Sequence, residues 1–251
     1  MKVHSSYYQS LLEQPGEYRD VDYKAAIALD ANADFDAKLV KHILGMANAG
    51  GGLIVIGYKE VTPKTLSRSA RPQARLLRPD PKMSEEVAGS YDPTRLAQKV
   101  QHFLLEGQRV DLGVKQVKYQ GKRFRSAKGK VFPIIEVSPC GTVPLVCGRD
   151  YESRDGKKIL RSRAIYLRTG GAQTICVATL HRDAPLDDLQ KLISVCAQHY
   201  IKAYGQVYAQ GLAEEIESRI TESLPSLEDL KAMIDDRVSE EIEDLYPTDW
   251  D

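Results

Sequence analysis

ANAGGGLIVIG, residues 47–57, runs in the order helix, glycines, strand. Upstream of it Leu39, Ile43, Leu44 and Ala47 recur at three- and four-residue spacing, one face of an amphipathic helix. Asp34 is placed to cap that helix at its start. Asn48 and the glycines at 50–52 end it, because they accept the left-handed backbone of a C-terminal cap. LIVIGY then reads as a buried strand. A phosphate-binding loop has the reverse order, strand to glycines to helix, closed by Lys-Ser or Lys-Thr. Both requirements fail here, so the glycines are read as a tight helix-to-strand turn.

Outward from this turn the pattern alternates. Residues 6–13 form a short helix stopped by Pro15-Gly16, and VDYKAAIAL, residues 21–29, alternates as a partly buried strand. Residues 61–84, with four prolines, read as a long loop. A helix starts at Asp92-Pro93 in YDPTRLAQKVQHFLLEG. From 112 to 178 the chain is β-rich, with strands in VKQVKYQ, VFPIIEVS, PLVC, AIYLRTG and TICVA. After Pro185 the apolar residues Leu186, Leu189, Ile193, Cys196, Ala197, Tyr200 and Tyr204 return to helical spacing. A second series runs from Ile216 to Leu245, split at Pro225 with Ser226 as cap. The predicted class is α+β: a mixed β-sheet with packed helices over residues 1–182, then a C-terminal helical region with an acidic tail over 183–251.

The chain has 251 residues and zero net charge, but the zero hides a split. Residues 214–251 carry fourteen acids against three basic residues, a net −11, so residues 1–213 carry net +11. A basic body of this size suits a polyanionic partner. No apolar run is long enough to span a membrane, and MKVHSSYYQS has no apolar h-region of a secretory signal. Cys140, Cys147, Cys176 and Cys196 form no C-x-x-C pair. Reduced thiols in a cytoplasmic protein are expected.

Two runs concentrate the positive charge. In 61–84, Lys64, Arg68, Arg71, Arg75, Arg78 and Lys82 face one acid, Asp80. In 115–130, Lys115, Lys118, Lys122, Arg123, Arg125, Lys128 and Lys130 meet no acid. Tyr119 and Phe124 lie among them, placed to stack on bases. Arg161, Arg163 and Arg168 extend the same expectation. The five histidines show no ligand spacing with one another or with cysteine.

GEYRDVDYK, residues 16–24, holds Glu17, Asp20, Asp22 and Lys24. Asp22 and Lys24 are two apart, hence on one face of a strand. An acid, one residue and a lysine on a strand is an arrangement that nucleases use. The acid holds a divalent cation, and the lysine orients water or steadies phosphate charge. Glu60, just past the LIVIGY strand, is a third candidate carboxylate. From spacing alone this signal is weak, because acids flanking a Gly turn are usually solvated surface.

Taken in order, GEYRDVDYK, ANAGGGLIVIGYKE, YDPTRLAQKV, FPIIEVSPCGTVPLVC and IYLRTGG resemble the Schlafen/AlbA_2 domain family over roughly residues 7–182. The resemblance implies a nucleic-acid-binding α/β domain and, in its best understood members, a metal-dependent endoribonuclease acting on tRNA and rRNA. Carried over, the metal-binding carboxylates fall on Glu17, Asp22 and Glu60, with Lys24 beside them and Mn²⁺ or Mg²⁺ as cofactor. The second acid here is Asp where the family has Glu, and Glu60 stands where some members carry Asp. The expectation is a metal-dependent endoribonuclease for structured RNA, tRNA first, with a non-catalytic DNA- or RNA-binding regulator of the same fold as the alternative. Larger Schlafen proteins carry two such lobes, so this single lobe is expected to form a homodimer, with the 186–204 stripe as one possible surface.

Overall fold

Backbone groups that find no ladder partner set where the strands stop. The expected strand 21–29 ends at Lys24 because side chains take the next backbone groups. Asp80 Oδ2 accepts from Ala26 N at 3.3 Å, Tyr91 Oη donates to Ile27 O at 2.6 Å, and Ser90 Oγ accepts from Leu29 N at 2.9 Å. The computed structural model describes residues 5–16, 18–61, 76–169, 172–176, 193–194 and 196–198. Several sequence expectations therefore lie outside the described residues: Glu17, Lys64, Arg68, Arg71, Arg75, and nearly all of the C-terminal helical region with its acidic tail.

In chain order, α1 (Ser5–Glu13) leads to β1 (Val21–Lys24), α2 (Ala33–Asn48), β2 (Gly52–Ile56) and β3 (Tyr58–Val61). Then come β4 (Leu76–Pro79), α3 (Glu85–Ser90), α4 (Pro93–Phe103), β5 (Leu112–Lys118) and β6 (Val131–Val137). β7 (Val146–Cys147), β8 (Tyr151–Glu152), β9 (Lys158–Leu160), β10 (Ala164–Arg168) and β11 (Thr174–Cys176) follow. The architecture is α+β. A mixed sheet has the order β1-β2-β6-β5, with β1 parallel to β2 and the other pairs antiparallel. A smaller antiparallel sheet has the order β11-β10-β7. β3 pairs with β4, so part of the expected 61–84 loop is a strand.

The strand alternation sorts the core. Ile54, Ile56, Ile135 and Val137 bury against α2, which also packs on β10, with Leu96 and Val100 of α4 in the same cluster. Val21, Tyr23, Leu53, Val55, Phe132 and Ile134 bury on the opposite face, against Tyr8, Leu11 and Leu12 of α1. Ile193, Cys196 and Ala197 belong to the α2 cluster. This part of the 186–204 stripe therefore packs on its own chain. Among the described residues no helix is long and apolar enough to cross a membrane.

The caps follow local chemistry. Asn32, and not Asp34, caps α2 by accepting from Phe35 N at 3.0 Å. Asp34 sits in the first turn and accepts from Tyr151 Oη at 2.9 Å. Asp92 caps α4 with Pro93 behind it, as the sequence predicts. The glycine turn is required by close backbone approach. A Cβ on Gly52 (φ +154) would stand 2.4 Å from Asp20 O, and one on Gly51 (φ +86) would stand 2.7 Å from Val137 O. Asn48 is not a left-handed cap. It is the last helical residue, fully buried, and its amide bridges β7 and β10 (Nδ2 to Leu145 O at 3.0 Å and Tyr166 O at 2.9 Å, Oδ1 from Leu145 N at 2.7 Å).

Candidate functional site

Val21 and Tyr23 turn toward α1, so Asp22 and Lys24 turn the other way, toward α2 and β10. Lys24 Nζ lies 2.6 Å from Asp22 Oδ2, which joins the two residues that the sequence put on one face. Two further side chains meet them there. His42 of α2 brings Nδ1 to 3.4 Å from Asp22 Oδ2, and Thr174 Oγ1 lies 3.1 Å from the same nitrogen. Arg168, at the end of β10, brings Nη2 to 3.4 Å from Asp22 Oδ1.

Arg168 is 1% exposed and fastens the turn that enters β1. Its Nε donates to Arg19 O at 2.9 Å, and its Nη2 donates to Tyr18 O at 3.3 Å and Val21 O at 3.0 Å. Its Nη1 is buried without a hydrogen-bond partner among the described residues. The expectation that Arg168 joins Arg161 and Arg163 on an outer groove is therefore corrected. Arg161 and Arg163 are exposed, whereas Arg168 is an interior clamp.

Burial alone pushes the Asp22 carboxyl up, but Lys24, His42 and Arg168 together outweigh it and hold it below the usual carboxylate range. Burial, then repulsion from Lys24, pushes His42 down to about 3 despite Asp22. The imidazole is thus neutral at physiological pH, and the Asp22 charge is balanced by Lys24 and Arg168. The unfolded chain takes up the His42 proton near 6.5, the folded chain near about 3. Stability from this group is intact above the unfolded value and is lost as pH falls from about 6.5 toward about 3. In an NMR titration the His42 ring shifts should stay flat between about pH 5 and pH 8, where an ordinary histidine titrates. A midpoint near 6.5 would show an open site.

Of the candidate carboxylates, Glu17 lies outside the described residues. Glu60 stands on β3, exposed and opposite Leu77 in the two-stranded ribbon. Among the described residues no three His, Cys, Asp or Glu side chains converge on a metal-sized site. Both oxygens of Asp22 already face cations.

The second basic run lies on the β5–β6 hairpin. Lys115, Lys118, Lys122, Arg123, Arg125 and Lys128 are exposed, and Lys130 is half-buried with Nζ on Pro81 O at 3.2 Å. One acid does meet this run, from α1. Glu13 accepts from Lys122 N at 3.1 Å, Arg123 N at 2.9 Å and Tyr119 Oη at 3.0 Å. Tyr119 is 1% exposed, so it holds the hairpin from inside and cannot stack on a base. Phe124 is half-buried, edge-on to Tyr58, with the Arg123 guanidinium 5.2 Å from its ring centre. Arg78, from the first basic run, is exposed on β4.

At the start of β1 and β2 a cleft of about 530 Å³ is lined by Tyr7, Asp20, the glycines 50–52 and Glu136. The N–H groups of Gly50 and Gly51 bond Ala47 O and Met46 O, and two carboxylates line the space. This is not a phosphate cradle, as the element order already implied. His42, Arg168 and Thr174 are the site residues that spacing did not reveal. A charged residue ending the apolar run AIYLR was the available signal. Comparison with protein-family models and with curated proteins finds no match for the chain.

Proposed function

We propose that the chain is a nucleic-acid-binding module that holds structured RNA, tRNA first, on the β5–β6 hairpin. The observation that carries this is the set of exposed cations at 115–128 on a tip where Glu13, the acid that meets them among the described residues, is taken up by backbone N–H groups. The net +11 of residues 1–213 adds long-range attraction. Lys122 and Lys128 are the best test, because the tip is shaped by the backbone at 122 and 123. In fluorescence anisotropy with labelled tRNA, Lys122→Ala with Lys128→Ala should weaken binding and flatten the log Kd against log salt slope by roughly 1.4–1.8. An unchanged slope would take the hairpin out of the interface. Unlabelled duplex DNA as competitor decides between the two nucleic acids.

A second reading, metal-dependent endoribonuclease, is favoured by the acid–lysine pair on an edge strand and by the motif resemblance. Glu17, Asp22 and Glu60 would be its carboxylates, with Lys24 at the scissile phosphate. Bound Mn²⁺ or Mg²⁺ would supply a hydroxide and stabilise the leaving oxygen. Incubating tRNA with the protein, with Mn²⁺ or with EDTA, separates the two. Intact tRNA under both conditions supports the binding module, and discrete fragments with Mn²⁺ alone establish the nuclease. A clamp built from single lobes needs two copies, so light scattering should give twice 28.0 kDa, and a 28.0 kDa particle excludes the clamp.

A further inference from the structure

The Asp22 cluster holds one carboxylate against two cations among the described residues, Lys24 and Arg168. Such a cluster has a positive charge in excess. The two cations differ in freedom. The Arg168 side chain is 0% exposed and is tied to three carbonyls, whereas the Lys24 side chain is 19% exposed and is held by Asp22 alone among the described ion pairs. Arg168 also has a buried donor, Nη1, that no described residue uses. A guanidinium gains most when two of its nitrogens grip one carboxylate in parallel.

We propose that Lys24 is a gated ligand for a phosphate oxyanion. In the resting state Lys24 is closed on Asp22. When an oxyanion arrives at the surface, Lys24 turns out to it, and Arg168 takes over the Asp22 carboxylate with its spare nitrogen. Without Arg168, moving Lys24 would strand a buried carboxylate, and the lysine would stay locked. Asp22 thereby becomes a competitor of the incoming anion and sets how tightly Lys24 can hold it. Arg168 acts as a positioning residue through Asp22 and does not touch the ligand. The site rests on the nucleic-acid reading only for the source of the phosphate, which is either a nucleic-acid backbone or a small phosphate compound.

Pyrophosphate binding to the full chain, followed by calorimetry, tests this apart from any RNA binding or cleavage. Lys24→Met should raise the pyrophosphate Kd about tenfold, the worth of one charged hydrogen bond. Asp22→Asn, measured below its melting temperature, should lower that Kd by about threefold, since the competing charge is gone. A parallel titration with an RNA oligomer assigns the source. Loss in Lys24→Met toward both ligands points to the backbone, and loss toward pyrophosphate alone points to a small phosphate compound. Wild-type binding no tighter than that of Lys24→Met overturns the proposal. So does a folded Asp22→Asn protein that binds pyrophosphate more weakly than wild type, which is the sign expected if Asp22 were an anchor for a bound cation. If Asp22→Asn does not fold, the Lys24→Met comparison still decides.

Discussion

Replacing Arg168 by methionine should cost about 3–5 kcal/mol of folding stability, a large part of the roughly 5–15 kcal/mol that holds a domain together. Methionine fills similar volume, so the loss is electrostatic and not a cavity effect. The guanidinium is buried and holds Tyr18 O, Arg19 O, Val21 O and the Asp22 carboxylate together. Without it three carbonyls and a carboxylate lose donors in a site closed to water. Lys24 still faces Asp22, which keeps the cost from rising further. Arg168→Lys should fall between, since an ammonium keeps the charge but lacks the fork that reaches several acceptors. Urea denaturation reads both variants. A midpoint for Arg168→Met within error of wild type would mean that the turn before β1 is held by something else. The same balance fixes the sign for Asp22. A crowded acidic site would gain stability on losing a carboxylate, but here Asp22→Ala leaves two cations facing each other and should destabilise.

Asn48→Ala should be of similar size, at least about 3 kcal/mol, because three buried backbone groups lose their partner at once. Those groups are Leu145 O, Tyr166 O and Leu145 N. The chemistry is specific, since only a side-chain amide offers donor and acceptor in one plane. Asn48→Asp should therefore be no better than alanine: it keeps an acceptor for Leu145 N but sets a negative charge against two carbonyl oxygens. An Asn48→Asp protein as stable as wild type would show that the bridge contributes little. Because Asn48 ties the end of α2 to β7 and β10, loosening it should also disturb the spacing of His42 and Arg168. Loss of the flat His42 titration in a partly folded variant would report that.

The helix, glycine turn and strand around residues 34–58 were legible because each carries its own periodicity and its own backbone demand. Asp92-Pro93 was equally plain, since cap and first helical residue are adjacent. Strand ends were not legible. Lys24 ends β1 only because Asp80, Ser90 and Tyr91 arrive from far along the chain to take the next backbone groups. The Asp22–Lys24 pair could be read from a spacing of two, but its partners His42, Arg168 and Thr174 come from α2, β10 and β11. The charge on Asp22 was visible and its neutralisation was not. Likewise, Tyr119 sits among lysines in sequence, yet its ring is buried in the cluster on the α1 side, where its hydroxyl meets Glu13.

The hairpin tip has a use beyond its own ligand. Its outline is drawn by bonds that the main chain at 122 and 123 donates to Glu13, and not by the side chains at 122, 125 and 128. The side chains at 122, 125 and 128 can then be exchanged as a set without redrawing the loop, like type changed in a fixed frame. Gly121 and Gly129 stay fixed, since a Cβ on Gly121 would meet the Glu13 carboxylate and Gly129 holds a φ of +82. A library varied at 122, 125 and 128 over an unaltered Gly121 and Glu13 would present many surfaces on one unmoving support.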